Sequence, residues 1–181
     1  MRNKELFRGR RKAGRLAGLV LTLALAASLL SGCGQSKERL TFGTGGTAGT
    51  YYSYGGVLAQ YITNNTNVKV TAVSTGGSKA NLQSVQDGDF QLGFVQSDVM
   101  AYAWDGVRAF EQDGATHDFR TLGGLYAETV QLFTMDPDIK TVEDLKGKSV
   151  SIGAANSGVY FNALDVLNAG GITLDDIHPQ Y

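Results

Sequence analysis

The stretch Leu40-Thr41-Phe42-Gly43-Thr44-Gly45-Gly46-Thr47-Ala48-Gly49-Thr50-Tyr51-Tyr52 decides the fold class. Residues 40–42 make a short apolar strand, residues 43–50 a glycine- and threonine-rich turn, and the residues after it a helix in which Val57, Leu58, Tyr61 and Ile62 share one face. The same unit then recurs. Residues 68–74 alternate and are rich in valine and threonine, and Thr75-Gly76-Gly77-Ser78 opens a helix carrying Leu82 and Val85. Residues 92–95 give a third strand, and Ser97 is placed to cap a helix bearing Val99, Tyr102 and Trp104. Three consecutive strand-loop-helix units predict an α/β fold with a parallel sheet covered by helices.

Beyond these units, residues 106–118 are polar and aperiodic and read as a surface loop, while 121–126 and 129–135 look strand-like and flank Ala127-Glu128. Thr141 is expected to cap a one-turn helix, with Asp144 three residues later favouring its start. Residues 149–152 then give a strand, 153–158 a turn, and a helix with Phe161, Leu164, Val166 and Leu167 ends at Gly170-Gly171. This is the beginning of a second domain. Residues 172–181 supply a connection and the first residues of one more strand. One such unit cannot bury both faces of a parallel sheet, so the natural protein is expected to continue past Tyr181.

The other end carries a different signal. Arg2, Lys4, Arg8, Arg10, Arg11, Lys12 and Arg15 precede a run of apolar and small residues, 16–30, that stops at Leu30-Ser31-Gly32-Cys33. A charged start, a run shorter than the roughly 20 residues of a spanning helix and small residues before the cysteine are the layout of a signal peptide. Leu-Ser-Gly-Cys resembles the lipobox of bacterial lipoproteins, which implies lipidation of Cys33 as the mature N-terminus. Arg10-Arg11 is not continued as a twin-arginine signal would be, so ordinary secretion is expected. Residues 1–32 are thus read as the signal peptide, 33–39 as a polar lipidated tether, 40–135 as a first lobe, 136–148 as a connection and 149–181 as the start of a second lobe.

Composition narrows the function. Seven of the 16 basic residues but only one acidic residue, Glu5, lie in the leader, leaving nine basic against 16 acidic residues from Cys33 onward. That mature charge of −7 argues against a nucleic-acid partner. Cys33 is the only cysteine, which excludes an intramolecular disulfide and a cysteine-based metal cluster. His117 and His178 stand apart from other ligand types, so neither a hydrolytic triad nor a metal site is expected.

The loops offer binding rather than catalysis. Parallel α/β sheets take ligands beyond the carboxyl ends of their strands, where helix N-termini present unpaired N–H groups and partial positive charge. The chain supplies such ends at residues 43–50, at 75–78, at Gln96-Ser97 and at Asn156-Ser157, each rich in hydroxyls or amides and none with a basic side chain. A small anion, a carboxylate above all, suits them. Tyr51, Tyr52 and Tyr126 are candidate pocket walls, and Glu128 is a candidate partner for a ligand ammonium group.

Two enzyme patterns fail on inspection. Gly43-x-Gly45-x-x-Ala48 partly fits a dinucleotide fingerprint, yet the second strand ends in Val73-Ser74-Thr75 with no acid for a ribose. Gly147-Lys148-Ser149 looks like the end of a phosphate loop, but Val142 stands at the place of its first glycine and a strand comes next instead of a helix. No catalytic residue and no cofactor is expected.

Residues 40–52, Ser74-Thr75-Gly76-Gly77-Ser78-Lys79-Ala80-Asn81 and Phe94-Val95-Gln96-Ser97-Asp98 together resemble the TAXI family, the TRAP-associated extracytoplasmic immunogenic solute-binding proteins. Residues 139–148 are similar to an interdomain stretch found widely among two-domain periplasmic binding proteins. The resemblance implies a two-lobed fold like that of type II periplasmic binding proteins, monomeric, closing on a small anionic or zwitterionic solute such as a glutamate-like amino acid. It also implies delivery to TRAP permease membrane subunits. The contacts it implies are Thr44, Gly45, Gly46, Thr50, Tyr51, Thr75, Asn81, Gln96, Ser97, Tyr126, Glu128, Asn156 and Ser157. The competing reading is a binding lobe that serves an ATP-driven importer or a sensor kinase, since one fold hosts many functions.

Overall fold

A computed structural model describes residues 37–181. The predicted signal peptide, Cys33 and the first part of the predicted tether lie outside the described residues. Strand β1 (Glu38–Gly43) begins within the stretch read as tether, because Glu38 pairs with Val68 and Arg39 with Lys69 at the start of a continuous register. It leads through the glycine turn into helix α1 (Thr50–Asn65), and β2 (Val68–Val73) returns alongside β1, ending with Gly43 opposite Val73. Helix α2 (Ser78–Gln86), the two-residue β3 (Leu92–Gly93) and α3 (Ser97–Asp105) complete the first part. The strand order is β2-β1-β3, all parallel, as three successive strand-loop-helix units require.

Helix α1 buries a narrower stripe than its sequence predicts. Val57 and Tyr61 are about two-thirds exposed, whereas Gly55 and Ala59 are buried and Leu58 and Ile62 pack beside them. The small residues set the helix close to the sheet. A Cβ on Gly55 would stand 2.5 Å from Thr44 Cγ2 and 3.2 Å from Phe94, so the helix seats on the Thr44 turn only through glycine. Below it, Phe42, Ala59, Val70 and Phe94 form one apolar cluster.

A second cluster gathers Leu82, Val99, Ala103, Phe110 and Phe161. Phe110 lies within the span read as a polar surface loop, and a turn of 3-10 helix (Arg108–Phe110) folds it inward until it is fully buried. Phe161 comes from α4 (Gly158–Ala169), so the helix of the second sheet closes the core of the first. That second sheet pairs β4 (Ser149–Ser151) in parallel with β5 (His178–Gln180) over Leu145, Ile152, Leu167, Ile172 and Ile177. The one-turn helix expected near Thr141 is a 3-10 turn (Glu143–Leu145), and Asp144 accepts bonds from the Lys140 and Thr141 amides and the Thr141 hydroxyl. Gly170 caps α4 and Gly171 takes the left-handed conformation, as the pair predicts.

The strands expected at 121–126 and 129–135 do not form. Among the described residues the backbone of 121–135 pairs with no other segment, and its apolar side chains stand in solvent, from Tyr126 at 46% to Met135 at 96% exposed. An alternating sequence can supply one side of a ladder but not the other.

Candidate functional site

All three strands of the first sheet point their carboxyl ends at one edge, and a single side chain ties their loops together. Asn81, fully buried on α2, donates its amide to the Thr44 carbonyl at 2.7 Å and the Phe94 carbonyl at 2.8 Å. Its own carbonyl lies 2.7 Å from the Thr75 hydroxyl, which also stands 3.0 Å from the Thr44 carbonyl and accepts the Gly77 amide. Backbone bonds add to the bracing: Thr44 donates to Val73, Thr75 to Gly45 and Phe94 to Gly43. A Cβ on Gly43 would stand 2.5 Å from Asn81 Oδ1 and one on Gly93 3.1 Å from Asn81 Cβ, so glycine at both places makes room for this amide. Thr44 is likewise buried, its hydroxyl bonded to the Val73 carbonyl. Thr44, Thr75 and Asn81 therefore shape the edge from behind.

In front of them the surface is open. Gly46 and Thr50 are exposed, and nothing stands within 4 Å of where a Cβ on Gly46 would be. Helix α1 starts at Gly49 without a side-chain cap, and among the described residues the amides of Thr50, Tyr51 and Tyr52 have no hydrogen-bond partner. Such a start carries a partial positive charge and free donors. Helix α2 also starts without a side-chain cap, at Gly77, whose positive φ of 101° suits only glycine. The Lys79 amide in its first turn is taken by the Asn156 carbonyl. Ser97, expected to cap α3, is instead the first helical residue, with its side chain exposed, and the cap position belongs to Gln96.

Tyr51, Tyr126 and Glu128 come together beside the α1 start. The two phenols donate to the two oxygens of Glu128, at 3.3 Å from Tyr51 and 3.1 Å from Tyr126, and the rings meet edge to face at 6.5 Å. Burial, then the neighbouring Glu128 and Tyr126, raise the Tyr51 phenol well above its usual range, while a bond to Ser78 works against them. Burial and the bond to Glu128 push Tyr126 up to about 12. Both phenols are neutral donors at physiological pH. Tyr52 stands apart on the exposed side of α1.

The second sheet brings Asn156 and Ser157 to the same edge. Asn156 adopts a left-handed conformation, φ 65°, and Ser157 caps α4 by accepting the Tyr160 amide. Ser157 packs against Gly77, where a Cβ would come within 3.3 Å of it. Gln96 donates to Asn162, Asn162 donates to Asp98, and Tyr102 donates to Asp165 at 2.6 Å, so α3 and α4 are joined by polar bonds as well as by Phe161. The Gln96 carbonyl is buried without a partner among the described residues and occupies the space a side chain on residue 158 would need. Gln96 is thus spent between the helices. Asp98, Asn162 and Asp165 do not stand out as site residues in the sequence, although Asn162 and Asp165 are polar residues at i, i+3 on a mostly apolar helix.

Two grooves lie off this edge, one of about 430 Å³ between α3 and Phe119-Arg120-Thr121, which Ser97 lines, and one of about 370 Å³ between α1 and β2. Among the described residues no group of three metal-ligating side chains converges, and no helix is long and apolar enough to cross a membrane. Residues 42–181 match the model of the NMT1-like family. It is a family of binding proteins rather than enzymes, related to the periplasmic binding proteins, and the chain belongs to it.

Proposed function

We propose that the chain is the solute-binding subunit of a TRAP-type secondary transporter, of the TAXI kind, anchored outside the cytoplasm by lipid on Cys33. It captures a small carboxylate or a glutamate-like amino acid. The observation that carries this reading is the uncapped start of α1 beside the exposed backbone of Gly46, a set of free amides on a braced edge; Gly45, by contrast, is buried, with its carbonyl taken by Thr75 and Ser74. Gly46, Thr50 and Tyr51 face the solute from residues 40–135 as one lobe, and Asn156 and Ser157 from residues 149–181 as the other, with 136–148 as the connection.

The reading is tested by thermal unfolding of the leaderless protein against a panel of dicarboxylates and amino acids. A specific solute at about 100 times its Kd adds about 2.7 kcal/mol, a shift of several degrees. A panel without a single shift sinks the carboxylate reading. Replacing Gly46 by valine, which covers the backbone without straining the fold, is expected to weaken binding by about tenfold.

A further inference from the structure

Strand β2 lies at the outside of the β2-β1-β3 sheet, and among the described residues no strand pairs with its outer edge. The Thr44 amide donates to the Val73 carbonyl, so residues 69, 71 and 73 turn their backbone groups to β1, while Val68, Val70 and Ala72 turn theirs outward. Two of these three meet a threonine from the end of α1. The Thr63 hydroxyl accepts the Val70 amide at 2.9 Å and donates to the Val70 carbonyl at 3.3 Å, the pair of bonds that an added strand would make there. The Thr66 hydroxyl accepts the Val68 amide at 3.0 Å and donates to the Ile62 carbonyl at 2.8 Å. Ala72 has no such hydroxyl beside it and borders the groove between α1 and β2.

Nothing else in β2 keeps a further strand away. Its six residues hold a continuous register without a bulge and include no proline, and Lys69 is its one charge. A second copy laid antiparallel about Val70 would put Val70 against Val70, Val68 against Ala72 and Lys69 against Thr71, so like charges would not meet. We propose that Thr63 and Thr66 guard this edge: their hydroxyls fill the ladder positions that β2 of a second copy would take, and the chain stays single because of them. Ala72, the one outward residue left open, is too little to start a ladder.

The test uses residues 33–181, since 38–181 form one compact unit. Thr63→Val removes the hydroxyl and Thr63→Ser keeps it. Mass is followed by sedimentation as concentration is raised, and amide exchange by NMR. The native chain and Thr63→Ser are expected to stay at monomer mass, and Thr63→Val to approach about twice that mass. In dilute Thr63→Val the Val70 amide should exchange about tenfold faster than in the native chain, and slow again as the dimer forms. A Thr63→Val chain that stays monomeric when concentrated, or a Thr63→Ser chain that dimerises as readily, overturns the guard. So does a native chain whose Val70 amide exchanges as fast as its Ala72 amide, a comparison that needs no variant to fold.

Discussion

Strands β1 and β2 and the segment 121–135 are built from similar material and end in different states. Val68–Val73 alternates valine and alanine with polar residues, and 121–135 sets Leu122, Leu125, Val130, Leu132 and Phe133 among threonine, glycine and glutamate. The first pairs residue by residue with β1 from Val68 to Val73 and buries Val70; the second pairs with nothing described and buries none of its side chains. The difference is in the neighbours. β2 comes after a helix that returns the chain to the edge of β1, whereas 121–135 leaves a polar loop and pairs with neither outer edge of the β2-β1-β3 sheet. Strand propensity states what a segment can do when half a ladder already exists.

Four experiments press on that contrast. The largest effect is expected where the paired region is braced: Asn81→Ala strips the Thr44 and Phe94 carbonyls of a buried donor and lowers unfolding free energy by about 3 kcal/mol in urea. A loss under about 1 kcal/mol would mean that the ladder alone holds the loops.

A smaller effect is expected at alkaline pH. The bond to Asp165, and then burial, raise the Tyr102 phenol to about 12, above its ordinary 10. The unfolded chain therefore loses this proton first, and the stability present below pH 10 is lost as pH rises toward 12. Tyr102→Phe should flatten that decline. Tyr126→Phe should flatten it less, because no backbone hydrogen bond ties its segment to the sheets. Equal flattening by both would show that 121–135 is part of the cooperative unit.

The smallest effect is expected at Phe133, 89% exposed: Phe133→Ser should alter stability by no more than about 0.5 kcal/mol. Limited chymotrypsin digestion should cut within 121–135 before it cuts any strand. Early cuts in β1 or β2 would reverse the ranking of the two regions.

The local signals are legible where neighbours in sequence are neighbours in space. Glycine turns leading into helices place β1 through α3 in order, and Gly170-Gly171 marks the end of α4. Exposure is less legible. Val57 and Tyr61 look like core residues because apolar spacing cannot reveal that Gly55 and Ala59 make the closest approach. At the edge, residue types point to the loops that converge, and Tyr51, Tyr126 and Glu128 do meet. The chemistry of Asn81 is hidden for a simple reason: an amide can serve a ligand or three loops, and only burial distinguishes them.

The Asn81 amide has a further consequence. Three loops joined through one buried side chain gave up their freedom when the chain folded, so an arriving solute has little of it left to remove. Where the proposed solute touches these three loops, it meets a cut lock, with little rearrangement of them left to slow its arrival.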